Sequence, residues 1–170
     1  MKFILAQQEH LEDMCRITEQ AKSQLKAMNL DQWQKGYPSK SVWETDIAQQ
    51  TAWLAVENDS VLGVFAFQIT PDPSYAVIDG HWLTDTPYAS MHRVCVSDHC
   101  KGKGVAGSMF KYGFEMARAL GFRSMRIDTH PENHPMQRAL EKAGFIPCGN
   151  ITLKGGCEDG DLRMAFEHIL

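Results

Sequence analysis

The sequence predicts a single α/β domain of the α+β kind, in which a mixed, largely antiparallel sheet is flanked by helices. Three observations support this prediction. The chain has 170 residues, which is enough for one core and too few for two ordinary domains. Strand patterns dominate the middle of the chain, and two helical patterns that end at glycine alternate with further strands after it.

The first half of the chain begins with a short strand pattern at residues 3–5. A helix follows, because apolar side chains recur every three or four positions from Leu11 to Met28. Ser41 and Glu44 have capping-box spacing and predict a second, shorter helix that ends near Gln50. Runs of β-branched and aromatic residues then predict strands at residues 51–57, 61–70, 75–78 and 88–97.

The second half contains two helices, each ending at a glycine that can adopt the left-handed backbone conformation. These glycines are Gly121 and Gly144, and the helices occupy residues 104–120 and 136–143. The remaining strand patterns lie at residues 122–129, 145–153 and 162–167. The last two predict an antiparallel pair.

Composition and charge exclude several classes of protein. A formal net charge of −4 argues against broad electrostatic binding to nucleic acid. No apolar run approaches the roughly 18 residues of a membrane span, and the first ten residues lack the apolar core of a secretory signal. Five cysteines without a C-x-x-C pair indicate reduced thiols. We therefore expect a cytoplasmic protein whose partners are neither nucleic acids nor membranes.

Four metal-ligand residue types are close in sequence: His92, Cys95, His99 and Cys100. On a regular strand, however, His92 and Cys95 would point to opposite faces of the sheet. We therefore expect no metal site.

Gly102, Gly104 and Gly107 lie between a predicted strand and a predicted helix. Glycines let the backbone approach a ligand closely, and the amides at a helix N-terminus attract anions. Lys101 and Lys103 add local positive charge to an acidic chain. The segment therefore predicts a phosphate-binding loop, although a plain glycine turn with solvated lysines is an alternative.

The type of phosphate ligand is not fixed by the glycines alone. A mononucleotide P-loop is excluded, because Gly107 is followed by Ser108 and Met109 rather than by lysine. The glycines do match G-x-G-x-x-G, and Asp128 follows about twenty residues later, as in a dinucleotide-binding oxidoreductase. That alternative stays open, although a dinucleotide-binding fold should continue with more alternating strands and helices, and only one helix and an antiparallel pair are predicted after Asp128.

The segment Lys101-Gly102-Lys103-Gly104-Val105-Ala106, preceded by Val94-Cys95-Val96, resembles the cofactor loop of the GNAT acyltransferase superfamily. That loop reads Gln/Arg-x-x-Gly-x-Gly/Ala, so Lys101 departs from it. The order of elements and the stretch from Asn133 to Phe145 are also similar to the family. One further departure is Leu140, which stands where the family often has a tyrosine that protonates the leaving thiolate.

The resemblance implies that the chain binds acetyl-coenzyme A (acetyl-CoA) and transfers its acetyl group to an amine. The pantetheine arm would lie between two diverging strands and bond to the backbone of Val94, Cys95 and Val96. The pyrophosphate would sit on the amides of Lys101 through Gly107, and Asn133 would contact the cofactor. The acceptor would be a small-molecule or peptide amine, and a homodimer is left open. A cofactor-binding sensor without turnover is a further alternative.

Transfer to an amine benefits from a general base. We predict His92 in this role, because it precedes the thioester site and histidine has an intrinsic pKa of ~6.5; a structural histidine is the alternative. Asp79 is the other leading candidate for the general base, and Asp128 and His130 are further candidates.

Three aromatic residues, Trp33, Tyr37 and Trp43, are predicted to form a wall of the pocket on the acceptor side or, alternatively, to cover the core.

Overall fold

The computed structural model describes residues 1–170, which form eight strands and four α-helices. The strands are β1 (Lys2–Leu5), β2 (Ala52–Glu57), β3 (Ser60–Gln68), β4 (Asp79–Gly80), β5 (Tyr88–Val96), β6 (Ser124–Thr129), β7 (Ile146–Thr152) and β8 (Leu162–Ile169). The helices are α1 (Leu11–Ala27), α2 (Lys40–Ala48), α3 (Val105–Ala119) and α4 (His134–Lys142).

All eight strands form one sheet in the order β1-β2-β3-β5-β6-β8-β7-β4. Only the central pair, β5 and β6, is parallel, and every other neighbouring pair is antiparallel. The predicted mixed, largely antiparallel sheet is therefore confirmed. A dinucleotide-binding fold would instead need a run of parallel strands, which this order does not contain.

The helices cover both faces of the sheet. Helices α3 and α4 pack on one face around Phe110, Met125 and Phe166, which are fully or almost fully buried. Helices α1 and α2 pack on the other face around Met14 and Trp43. None of these helices combines the length and the hydropathy needed to cross a lipid bilayer.

Two predicted elements differ in detail. Helix α2 begins after Ser39 rather than Ser41, and no side chain caps it by a hydrogen bond. The strand predicted at residues 75–78 is a 3-10 turn, Pro73–Ala76, followed by the two-residue strand β4. The turn forms because proline suits the first position of a helical turn and the Asp72 carboxylate accepts a hydrogen bond from the Ser74 N–H.

Strands β5 and β6 diverge near the centre of the sheet. Their parallel pairing covers only three register positions and ends where Ser90 meets Arg126. A β-bulge then interrupts the β3–β5 pairing, and Arg93 within it has a φ of 54°. The divergence opens a wedge between the two strands, and the bulge redirects the side chains of the second half of β5.

Candidate active site

A cavity of about 1300 Å³ occupies the wedge between β5 and β6. On one side it is lined by the segment from Cys100 to Ser108 apart from Lys103, by the side of α3 that carries Lys111 and Phe114, and by α4. We call this side the cofactor half. On the other side it is lined by the end of α1, the loop at residues 29–39, Asp72 to Ser74 and the loop between β7 and β8. We call this side the acceptor half.

The glycine loop presents a row of free backbone amides to the cofactor half. Gly102 and Gly104 have left-handed φ angles of 74° and 78°, and α3 begins directly after Gly104. No backbone hydrogen bond is donated by the amides of Gly102, Gly104, Val105, Ala106 and Gly107. Free amides at a helix N-terminus attract anions, so this loop is a candidate anion-binding site.

The lysines contribute less charge to this loop than the sequence suggested. The Lys101 ammonium pairs with the Asp98 carboxylate, so its charge is partly neutralised within the protein. Lys103 is exposed and does not line the cavity, whereas Lys111 and Lys142 do. The free backbone amides, rather than the lysines, are therefore the main groups of this loop that could attract an anion.

The predicted segment Val94, Cys95 and Val96 lies along the wedge. Cys95 and Val96 pair with β3 on one side, whereas Val94 lies in the bulge, and no residue of β6 pairs with any of the three on the other side. The Cys95 thiol points into the α1 and α2 layer, where burial raises its pKa to about 12. This part of β5 therefore offers its backbone, rather than a reactive thiol, to a ligand in the wedge.

Two polar side chains at the end of β6 and beyond line the cofactor half. Asn133 accepts a hydrogen bond from the Met136 N–H and so caps α4, while its side-chain amide donates to Gln32. Thr129 is 1% exposed, and its hydroxyl has no hydrogen-bond partner in the protein. A buried hydroxyl without a partner is costly to the fold, so Thr129 suits a ligand that supplies the missing bond.

His92 lies in the acceptor half, but its environment differs from the expectation. Its ring stacks on Tyr75, and its Nε2 lies 3.0 Å from the Ser90 hydroxyl and 3.8 Å from Asp72. Burial, together with the positive charge of Arg93, lowers the pKa of His92 to about 4. His92 is therefore neutral at pH 7 and a weaker base than its intrinsic pKa predicts.

Asp128 is the stronger basic group in the same half. It sits at the end of β6, where Tyr75 donates a hydrogen bond of 2.7 Å to its Oδ2. Burial raises the pKa of the Asp128 carboxyl to about 6, despite the opposing effect of that hydrogen bond. A carboxylate with a raised pKa in a cleft is suited to accept a proton near neutral pH.

The other predicted acceptor residues are only partly brought together. Trp33 and Tyr37 line the cavity, whereas Trp43 is fully buried in the core and donates its indole N–H to Thr18. Asp79 lies on β4 at the outer edge of the sheet, exposed and away from the cavity. Leu140, in the position of the family's frequent tyrosine, lies on α4 and is buried in the core.

Sequence reasoning missed Arg93, although it fixes the acceptor half. Its guanidinium forms hydrogen bonds of 2.9 and 3.0 Å with the Asp46 carboxylate and donates to the Tyr37 hydroxyl at 2.6 Å. The bulge at Arg93 also places His92 and Cys95 on the same face of the sheet, contrary to the expected alternation. No group of three or more His, Cys, Asp or Glu side chains is arranged to hold a metal ion.

Comparisons with known proteins agree with this architecture. A GNAT-family acetyltransferase from Streptococcus agalactiae 2603 has a TM-score of 0.88 and 27% sequence identity, over 99% of this chain and 95% of that one. An N-acetyltransferase from Staphylococcus aureus Mu50 has a TM-score of 0.68 and 22% identity, over 99% and 97%. A ribosomal-protein-alanine N-acetyltransferase from Brucella melitensis has a TM-score of 0.69 and 13% identity, over the full length of both chains.

No curated protein matches the chain significantly. The sequence does match the Acetyltransferase (GNAT) family over residues 22–145, which include β5, the glycine loop, α3, β6 and α4. Because this match covers well over half of the chain, the protein belongs to the GNAT family of acetyltransferases.

Proposed function

We propose that the protein transfers an acetyl group from acetyl-CoA to an amine bound in the acceptor half of the cavity. The observation that carries this proposal is the row of free amides at Gly102, Gly104, Val105, Ala106 and Gly107, next to the unpaired edge of β5. Coenzyme A has a pyrophosphate that matches such amides and a pantetheine arm that can bond to a strand edge.

The residues on the cofactor side fit this group. The amides of the loop would hold the pyrophosphate, and the backbone of Val94, Cys95 and Val96 would bind the pantetheine arm. The unpartnered Thr129 hydroxyl would donate a hydrogen bond to the arm, since the protein itself offers it no partner. Asn133 lies at the start of α4, in the same half of the cavity.

Acetyl-CoA, when bound, would supply the acetyl group as a thioester. As the amine nitrogen bonds to the acetyl carbon, the carbon–sulfur bond would break and coenzyme A would leave as the free thiol, which takes up the second proton of the amine. Most amines arrive protonated, so a nitrogen lone pair becomes available only after a proton is removed. Asp128 would accept this proton at Oδ1, the oxygen that takes no hydrogen bond from Tyr75. Tyr75 would hold the carboxylate in position, and the buried strands around the wedge would limit access of water to the thioester.

The Brucella melitensis neighbour is named for a protein alanine as its acceptor, but at 13% identity it supports the fold alone. The acceptor of this chain must therefore be inferred from its own cavity, and a small-molecule and a peptide amine are both candidates.

Two measurements test the proposal. Calorimetric titration with acetyl-CoA, with a nicotinamide dinucleotide as the comparison, should show binding of acetyl-CoA alone. Release of free thiol in the presence of a library of amines should then exceed the release without amine. Binding of acetyl-CoA without amine-dependent thiol release would indicate a sensor rather than an enzyme, and absence of binding would exclude both.

A further inference from the structure

The charged side chains of the acceptor half are unevenly paired. Three carboxylates line this half, at Asp72, Asp128 and Glu158, together with the guanidinium groups of Arg93 and Arg163. The charge that an acceptor must carry depends on which of these groups are already neutralised by the protein.

Both arginines are neutralised by carboxylates of the protein itself. Arg93 forms its two-pronged pair with Asp46, and both side chains are less than 10% exposed. Arg163 is 2% exposed and lies 3.2 Å from Glu158 and 3.9 Å from Asp161. Both guanidinium charges are therefore already paired, and a carboxylate or phosphate of an acceptor would have to compete with a carboxylate of the protein for them, although the Arg163 Nη2 makes no hydrogen bond.

Asp72 and Asp128 have no cationic partner of their own. Asp72 uses Oδ1 to accept the Ser74 N–H, and its Oδ2 faces only the neutral His92 at 3.8 Å. Asp128 uses Oδ2 to accept the Tyr75 hydroxyl. Each carboxylate therefore keeps one oxygen that no group of the protein hydrogen-bonds.

The remaining cation at this half does not change this balance. Lys154 lines the cavity from the loop between β7 and β8, but the residue is exposed, so water screens its charge. The half-buried Asp72 and Asp128 thus leave an excess of negative charge inside the acceptor half.

We infer that the acceptor is a diamine or polyamine, of which one ammonium group is held by Asp72 while the other amine, next to Asp128, is acetylated. This inference rests on the proposed function, because it identifies the acceptor of the same cavity. A monoamine would leave Asp72 without a cation. An α- or ω-amino acid would bring a carboxylate into a half whose arginines are already paired.

The test compares acceptors of equal length. Thiol release from acetyl-CoA is measured with diamines of three to six carbons, with the monoamine and with the ω-amino acid of the same length. For the best diamine, we expect kcat/KM to exceed that of both matched compounds by about tenfold or more, the effect of one hydrogen-bonded ion pair. The Asp72→Asn variant should lose this advantage, so that its kcat/KM for the diamine falls to the level of its kcat/KM for the monoamine.

The control variant is Asp59→Asn, the same substitution in the exposed turn between β2 and β3, which should keep the preference for the diamine. Equal use of the diamine, monoamine and amino acid, or a preference that survives Asp72→Asn, would overturn the inference while leaving acetyl transfer intact. If no amine supports thiol release, the proposed function fails. The inference is then decided by calorimetry of diamine binding to the parent protein and to Asp72→Asn. Binding that is lost in Asp72→Asn supports the inference, and no binding, or binding that is equal in both proteins, refutes it.

Discussion

A buried hydroxyl without a partner gives the clearest prediction for a single residue. Replacing Thr129 by the similarly shaped valine should leave the thermal stability of the free protein equal or higher, because no internal hydrogen bond is lost. Binding of acetyl-CoA should weaken by about fivefold to tenfold, as expected for loss of one hydrogen bond of ~1 kcal/mol. Thermal unfolding and calorimetry measure the two effects.

The Thr129→Ser variant is the matched control, since it keeps the hydroxyl and should retain the affinity for acetyl-CoA. A destabilised free Thr129→Val protein would mean that the hydroxyl serves the fold. Unchanged affinity would mean that the hydroxyl does not contact the cofactor.

Asp128 predicts the pH dependence of the reaction. Because its pKa is raised to about 6, log kcat/KM should rise with pH through that value as the base becomes ionised. Asp128→Asn should remove this limb and lower kcat by about a hundredfold or more. His92→Gln should keep the limb, since the pKa of His92 lies near 4. A limb that persists in Asp128→Asn and disappears in His92→Gln would restore the original assignment to His92.

The same raised pKa affects stability in a definite direction. The ordinary pKa of an aspartate is 3.8, so folding favours the protonated form of Asp128. The contribution of this group to the free energy of unfolding is therefore present at low pH and falls as the pH rises from about 4 through about 6. Asp128→Asn should accordingly be at least as stable as the parent at pH 7, which separates its catalytic effect from unfolding.

Residues of the candidate site were predictable from the sequence only where the signal is local. Gly102 and Gly104 could be found because a loop and the helix after it are adjacent in sequence. Asp72 and Thr129 could not, because their roles depend on which distant strands diverge and which side chains remain without partners. The pKa of His92 also follows from burial against Tyr75 and from Arg93, which the sequence does not place beside it.

At the scale of elements, the junction between the glycine loop and α3 can be tested without straining the backbone. Gly104 has a positive φ, so a valine there would be strained whether or not a ligand binds. Gly107 has no such constraint, and a Cβ added to it would meet no protein atom within 4 Å. It also lines the cofactor half, so its Cβ would occupy space next to the free amides.

Gly107→Ala should therefore keep the fold and weaken acetyl-CoA binding by about tenfold or more, as expected if hydrogen bonds to a charged group are disturbed. Lys103→Ala, outside the cavity, should weaken binding by no more than about twofold to threefold, and the loss should shrink with added salt. Calorimetry at two salt concentrations measures both. A larger loss in Lys103→Ala than in Gly107→Ala would contradict binding through the backbone.

The β-bulge in β5 shows where prediction of elements fails. The strand itself was predicted within one residue of its observed end. Its alternation was not, because the extra residue at Arg93 shifts the register against β3 and changes which side chains share a face. A bulge is stabilised here by long-range partners, Asp46 on α2 and the Tyr37 hydroxyl. No local sequence pattern identifies such partners.

At the scale of the whole molecule, the order of elements was sufficient to predict the fold class. Strands without intervening helices came before β5, and an antiparallel pair closed the chain, so a largely antiparallel sheet followed. The G-x-G-x-x-G match to a dinucleotide-binding fold was misleading. That fold needs a run of parallel strands, whereas a single parallel pair is enough to place a glycine loop between the end of one strand and the helix that leads to the next. The divergence of that pair creates the cavity, and both halves of the proposed reaction depend on it.

Two distant loops close the acceptor half, and Glu158 joins them. The carboxylate accepts the backbone N–H of Trp33 at Oε1, and its Oε2 lies 3.2 Å from Arg163. Lys35 and Asp161 make a second link between the same loops through a more exposed ion pair. The two loops are therefore held together mainly by the buried carboxylate of Glu158, which belongs to the loop between β7 and β8, accepts a hydrogen bond from the other loop and pairs with Arg163 on β8.

Glu158→Gln keeps a hydrogen-bond acceptor for Trp33 but removes the charge opposite the buried Arg163. We expect the free energy of unfolding to fall by about 1–3 kcal/mol, and amide exchange to accelerate in residues 29–38 and 153–161. The KM for the acceptor should rise while acetyl-CoA affinity changes by less than about threefold, because the amides of the glycine loop lie in the other half of the cavity.

The control is Lys35→Ala, which should change stability and the KM for the acceptor much less than Glu158→Gln does, since exposed ion pairs contribute little. Equal losses of acceptor and cofactor binding in Glu158→Gln would show that the two halves are not independent.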